Sequence, residues 1–138
     1  MAMTAQGPAL AGPFESSAAD LSGKEGYACK VSGIAGAEVV TLAVVADADA
    51  IGTGVGVITS VAGSFADGTQ TATVQFGGVA YALTGAAISA GAPVAPNAAS
   101  EWITAVSDNY ATGFALQGGT DGDLIQISVL GVSGVLIP

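Results

Sequence analysis

The chain has 138 residues, of which 51% are hydrophobic and 6% aromatic; eleven acidic residues stand against two basic ones and no histidine, for a formal net charge of −9. That balance excludes nucleic-acid binding and adhesion to an anionic membrane, both of which need a surplus of Lys and Arg against phosphate. The lack of histidine also excludes Ser-His-Asp and Cys-His catalysis and His-based metal sites. The length fits one domain, which buries roughly two thirds of the surface its unfolded chain exposes. Its apolar half is mostly Ala and Val. Such side chains give little burial energy each, so further apolar contact with partners is expected.

Residues 1–19 are rich in Ala, Gly and Ser, contain Pro8 and Pro13, and show no periodicity. They read as an extended N-terminal arm, with the domain proper over 20–138. Two readings of the arm stand, a disordered terminus or an arm that orders on a neighbour, and Phe14, a large apolar residue in this breaker-rich stretch, favours the second. The arm does not open on a basic region followed by an apolar run, so no signal peptide is expected. No apolar run approaches the ~20 residues of a membrane-spanning helix.

Beyond the arm the period is two. Tyr27, Cys29 and Val31 alternate with Ala28, Lys30 and Ser32, and Val39 to Val45 is an apolar β-branched run. Ile51 to Thr59 alternates large residues with Gly52, Gly54 and Gly56, whose spacing suits a strand with close backbone approach. A phosphate loop would need a helix and a lysine after it. Thr69 to Phe76 places Ala72, Val74 and Phe76 on one face and threonines on the other, an arrangement similar to an ice-binding ladder but expected here as a solvent face. Val79 to Leu83, Trp102 to Val106, Ala111 to Leu116 and Asp123 to Leu130 complete the set. Short runs of this kind separated by Gly, Pro, Asp and Asn predict an all-β sandwich or barrel, with a helical turn at most near Asn97 to Glu101. Asp49 to Val57 and Asp108 to Leu116 form a weak internal repeat, each running into an Asp-Gly turn, at Asp67-Gly68 and Asp121-Gly122. The expectation is two similar hairpin units in one barrel.

Chemistry is scarce. Asp47 with Asp49, and Asp121 with Asp123, place two carboxylates on one face of an extended segment, the raw material of a glycosidase pair or a hard-cation site. Without a lining of aromatics and arginines they are expected to be solvated turn residues. Trp102, near Glu101, Tyr110, Pro93 and Pro96, could serve as a sugar platform and is expected as a core anchor. Cys29 is the lone cysteine and reads as a small core residue. No enzymatic activity, cofactor or metal is expected.

Two segments point to a family. One is Ala18 to Val31. The other is the series Ala86 to Val94, Thr112 to Leu116 and Gly122 to Leu130. In order and spacing the chain resembles, over most of its length, the small head-decoration (capsid cement) proteins of tailed bacteriophages. The resemblance implies a viral structural protein with a single small β-barrel, β-tulip-like or sandwich domain, made in the host cytoplasm and placed on the outer surface of the virion. Its partners would be the major capsid protein and further copies of itself as a homotrimer, clamping capsomers in capsid stabilisation. Expected contact residues are Leu10, Pro13 and Phe14 on the arm and Val135, Leu136 and Ile137 near the C-terminus. The other reading is a carbohydrate-binding or adhesive β-module on a virion or cell surface.

Overall fold

Thirteen residues, Thr71–Leu83, form one strand around which the sheet is arranged. The computed structural model describes residues 9–15, 20–32, 39–42, 54–131 and 134–138, and none of these is helical. The strands in chain order are β1 (Ala9–Glu15), β2 (Ala28–Ser32), β3 (Val39–Leu42), β4 (Val55–Ala62), β5 (Thr71–Leu83), β6 (Pro93–Pro96), β7 (Trp102–Thr104), β8 (Tyr110–Ala111), β9 (Gly113–Ala115), β10 (Leu124–Val129) and β11 (Val135–Leu136).

The first half of β5 pairs antiparallel with both β4 and β1. β4 pairs with β2, β2 with β3, and β3 runs parallel to β1, so these five strands close on themselves. The second half of β5 pairs with β10, followed by β9, β6 and β7. A parallel bridge between Thr84 and Trp102, with Gly85 N donating to Trp102 O, brings β7 back to the end of β5. The result is an all-β, barrel-like domain with β5 common to both halves, and a second small sheet of β8 and β11.

β5 changes partners at Gly77-Gly78. Gly77 faces Ala9 of β1, and Gly78 faces Val129 of β10. Gly78 has φ +71°, a conformation that glycine takes without the clash a Cβ brings. The buried Gln75 braces this corner, its Nε2 donating to the carbonyls of Gly77 (2.9 Å) and Val79 (2.6 Å). The expected break between two strands is therefore a corner within one, because a side-chain amide satisfies the carbonyls that the turn frees.

Three apolar clusters fill the interior. Leu21, Cys29, Ile58, Ala72 and Val74 make one, with Phe14, Tyr27, Val61 and Phe76 packed against it. The largest joins Ala28, Val55 and Val57 to Ala80, Ala82, Val94, Trp102, Ile125, Ile127 and Val129. Ala95, Ala105 and Ala111, with Ile137 against them, make the third. Ala72 and Val74 point inward as the alternation predicts, and the Asp-Gly pairs fall in turns joining β4 to β5 and β9 to β10. Of the expected arm, residues 9–15 are extended as β1, hydrogen-bonded to β5 of the same chain.

Candidate interaction surface

Asp121 and Asp123 are exposed at the turn before β10. Asp123 Oδ2 accepts from Thr120 N (2.8 Å) and Thr120 Oγ1 (3.1 Å), so this carboxylate closes its own turn. Asp47 and Asp49 lie outside the described residues. Among the described residues no group of three or more His, Cys, Asp or Glu is placed to hold a metal ion. Asp20 Oδ1 accepts from Ser22 N, Ser22 Oγ and Gln70 Nε2. Those bonds, the Ser22 hydroxyl first, hold its carboxyl below the usual carboxylate range.

Trp102 is fully buried, so its ring has no face free to stack on a sugar. Cys29 is buried in the Leu21 cluster with Sγ 3.7 Å from Gly56 O, and burial pushes its thiol up to about 12 from 9.0. An inert thiol follows, with a consequence for stability. Because the folded value is raised, the native state holds its proton where the unfolded chain has lost it. The stabilisation this gives is complete below about pH 9 and is lost as pH rises toward about 12. Urea midpoints should therefore fall more steeply above pH 9 for the wild type than for Cys29→Ala, closing the gap between them. Parallel slopes would mean that the thiol is hydrated in the native state.

The residues expected to make contacts fall into different settings. Phe14 is half-buried against the Leu21 cluster of its own chain. Leu10 and Pro13 lie on β1, where Leu10 is in register with Gln75. Val135 and Leu136 are exposed on β11, opposite Ala111 and Tyr110, whereas Ile137 packs on the third cluster.

A surface that the sequence reading missed lies on β5, β10 and β9. Val79 and Tyr81 of β5 are 50% and 59% exposed, Leu124 of β10 is 56% exposed, and Phe114 of β9 is 43% exposed. Leu116 and Leu130, just past the ends of β9 and β10, add 42% and 44%. Register makes them one face: Ser128 stands opposite both Val79 and Phe114, and Gln126 opposite Tyr81. Leu116 N donates to Gln126 O, and Leu130 N to Thr112 O, extending the β9–β10 pairing at each end. The polar side chains on this face include Gln126, whose Nε2 donates to Tyr81 Oη at 3.2 Å. No outward position on the three strands carries a charge. The signal available in the sequence was that both alternating sets of the second half of β5 are apolar, Val79, Tyr81 and Leu83 on one side and Ala80 and Ala82 on the other. A half-solvated strand does not require that, and it marks a second face made for contact.

Comparison of the chain with protein-family models, with curated proteins and with solved structures found no match.

Proposed function

We propose that this chain is a structural capsid-decoration (cement) protein, which adheres to the outer surface of a mature phage head and stabilises contacts between capsomers. The observation that carries the reading is the uncharged apolar sheet face on β5, β10 and β9 of a protein with net charge −9. Adhesion by apolar burial and main-chain hydrogen bonds is what such a surface does well, and the reading assigns the chain no catalysis, cofactor or metal. Further support comes from the segments that resemble decoration proteins: Thr112 to Leu116 and Gly122 to Leu130 contain β9 and β10, and Ala18 to Val31 and Ala86 to Val94 run into β2 and β6. The exposed Val135 and Leu136 offer a second apolar contact toward the major capsid protein.

Co-sedimentation with mature, undecorated phage heads tests this. Saturable binding is expected, with decorated heads surviving heat better than bare ones. Occupancy should stay level or rise from low to moderate salt, because screening weakens the repulsion between an acidic protein and an acidic shell. A folded, β-rich protein that leaves heads unbound, or binding that collapses with salt, overturns the reading.

A further inference from the structure

The chain holds two Asp-Gly pairs, Asp67-Gly68 and Asp121-Gly122, and the fold holds them differently. An aspartyl side chain followed by glycine is able to turn back on its own main chain, because glycine has no Cβ to shield its nitrogen. The freedom of the local backbone decides whether it does. Asp121-Gly122 is bolted to the end of β5. Gly122 N donates to Thr84 O at 2.9 Å, and Thr84 N donates to Asp123 O at 2.9 Å. The hydroxyl of the buried Thr84 accepts from Asp123 N at 3.0 Å and donates to Thr120 O.

Asp67-Gly68 sits at the exposed tip of the β4–β5 hairpin, where Gly68 N donates to Phe65 O, within the same turn, at 3.1 Å. The Asp67 carboxyl takes no hydrogen bond among the described residues, and the space a Cβ would enter at Gly68 is open to 4 Å. Below the tip, Thr69 N donates to Ser64 O and Ser64 N to Thr69 Oγ1, each at 3.0 Å, so the hairpin is closed without help from the turn. Opening the Asp67 turn breaks a bond within it. Opening the Asp121 turn breaks bonds to another strand. Local openings differ widely in cost, and exposed loop tips are among the cheapest.

We propose that Asp67 is a site of spontaneous isoaspartate formation, a self-modification of the folded protein that leaves the barrel intact. Gly68 N attacks Asp67 Cγ; an N–Cγ bond forms, and the amide proton leaves with the carboxyl hydroxyl as water. Water then adds to the resulting succinimide ring. Cleavage of the N–Cγ bond restores aspartate. Cleavage between the nitrogen and the main-chain carbonyl carbon of Asp67 leaves isoaspartate, with the chain running through Cβ and Cγ. Water is the sole co-reactant, nothing is oxidised or reduced, and the mass is that of the starting protein. The added main-chain carbon lies beside the exposed Phe65, so the tip is reshaped while the Ser64–Thr69 closure holds. None of this requires a capsid.

Incubation of the full chain for several weeks at neutral pH and body temperature, folded and in urea, tests the proposal. Digestion with a protease that cuts before aspartate but not before isoaspartate, followed by mass spectrometry, locates the modified position. In the folded protein, isoaspartate should accumulate at Asp67 about tenfold or more faster than at Asp121, with unchanged circular dichroism. In urea, where both turns are lost, the two positions should react at similar rates. Asp67→Glu, whose longer side chain closes a larger and slower ring, should remove the signal at this position and leave Asp121 as it was. An Asp67 that stays intact in the folded protein while reacting in urea overturns the proposal, and so does an Asp121 that keeps pace with it in the folded state. Isoaspartate at Asp67 accompanied by loss of the circular dichroism signal overturns the claim that the barrel survives the change.

Discussion

Trp102→Ala is expected to lower the unfolding free energy by about 4 kcal/mol, within the range for emptying a large aromatic site in a core. Trp102 is wholly inaccessible, and its cluster is otherwise made of Ala, Val and Ile. Short, branched neighbours on paired strands have little freedom to collapse into the space left behind. The loss is a large share of the 5–15 kcal/mol by which a domain is usually stable. Trp102→Phe should behave differently. The indole Nε1 is buried with no acceptor among the described residues, and an unpaired buried donor costs about 1–3 kcal/mol. Phenylalanine gives up part of the ring but also removes that donor, so its net loss should stay below about 2 kcal/mol. Urea denaturation of the three proteins at neutral pH, read as midpoint shifts at constant slope, measures both differences. A Phe variant as damaged as the Ala variant would show that the N–H is hydrogen-bonded after all. An Ala variant within about 1 kcal/mol of wild type would remove Trp102 as the anchor of this cluster.

The same residue shows where the sequence was readable. A chain with one tryptophan and few other aromatics has few ways to fill a core, and the burial of Trp102 follows from that shortage. Strand alternation was equally legible: Ala72 and Val74 point inward, and so do Ile125, Ile127 and Val129. Alternation says which residues share a face, but not which face is covered. On β5 the larger set, Val79 and Tyr81, is outside, and the smaller set, Ala80 and Ala82, is inside. Ranking by size inverts that pair. Trp102, Ile125 and Ile127 occupy the same cluster, so β5 can approach only through small side chains. β6 was missed because Pro93 and Pro96 bound it, and a two-proline segment reads as a loop. β1 was missed because Gly12 and Pro13 interrupt its pattern, and its pairing with β5 shows register shifts between Ala9 and Leu10 and between Ala11 and Phe14. The apolar residues on both sides of the second half of β5 are a local sign of the interaction face, but its extent over β10 and β9 emerges only when the registers are laid side by side, which is long-range information.

Gly131→Ala should cost about 3 kcal/mol or more, whereas Gly122→Ala should cost about 1 kcal/mol. Both glycines have φ above +80°, at +82° and +85°, so alanine suffers similar left-handed strain at each. Their surroundings differ. A Cβ on Gly122, at the turn before β10, meets nothing within 4 Å. A Cβ on Gly131 would overlap the carbonyl oxygen of Phe76, a backbone atom in a paired strand that no rotamer change can move aside. Gly131 O also accepts from Val55 N at 3.2 Å, where β4 begins. The segment after β10 is thus wedged between β4 and β5, joining the second half of the barrel to the first. Displacing it loosens the contact through which the two halves unfold together. Urea denaturation followed by Trp102 fluorescence and by far-ultraviolet circular dichroism gives the measurement. For Gly122→Ala the two probes should coincide at a slightly lower midpoint, as for a two-state domain. For Gly131→Ala the midpoint should fall well below that. Separation of the two probes in this variant would locate the cooperativity of the fold at this junction, and equal costs for the two substitutions would mean that the Phe76 contact yields without penalty.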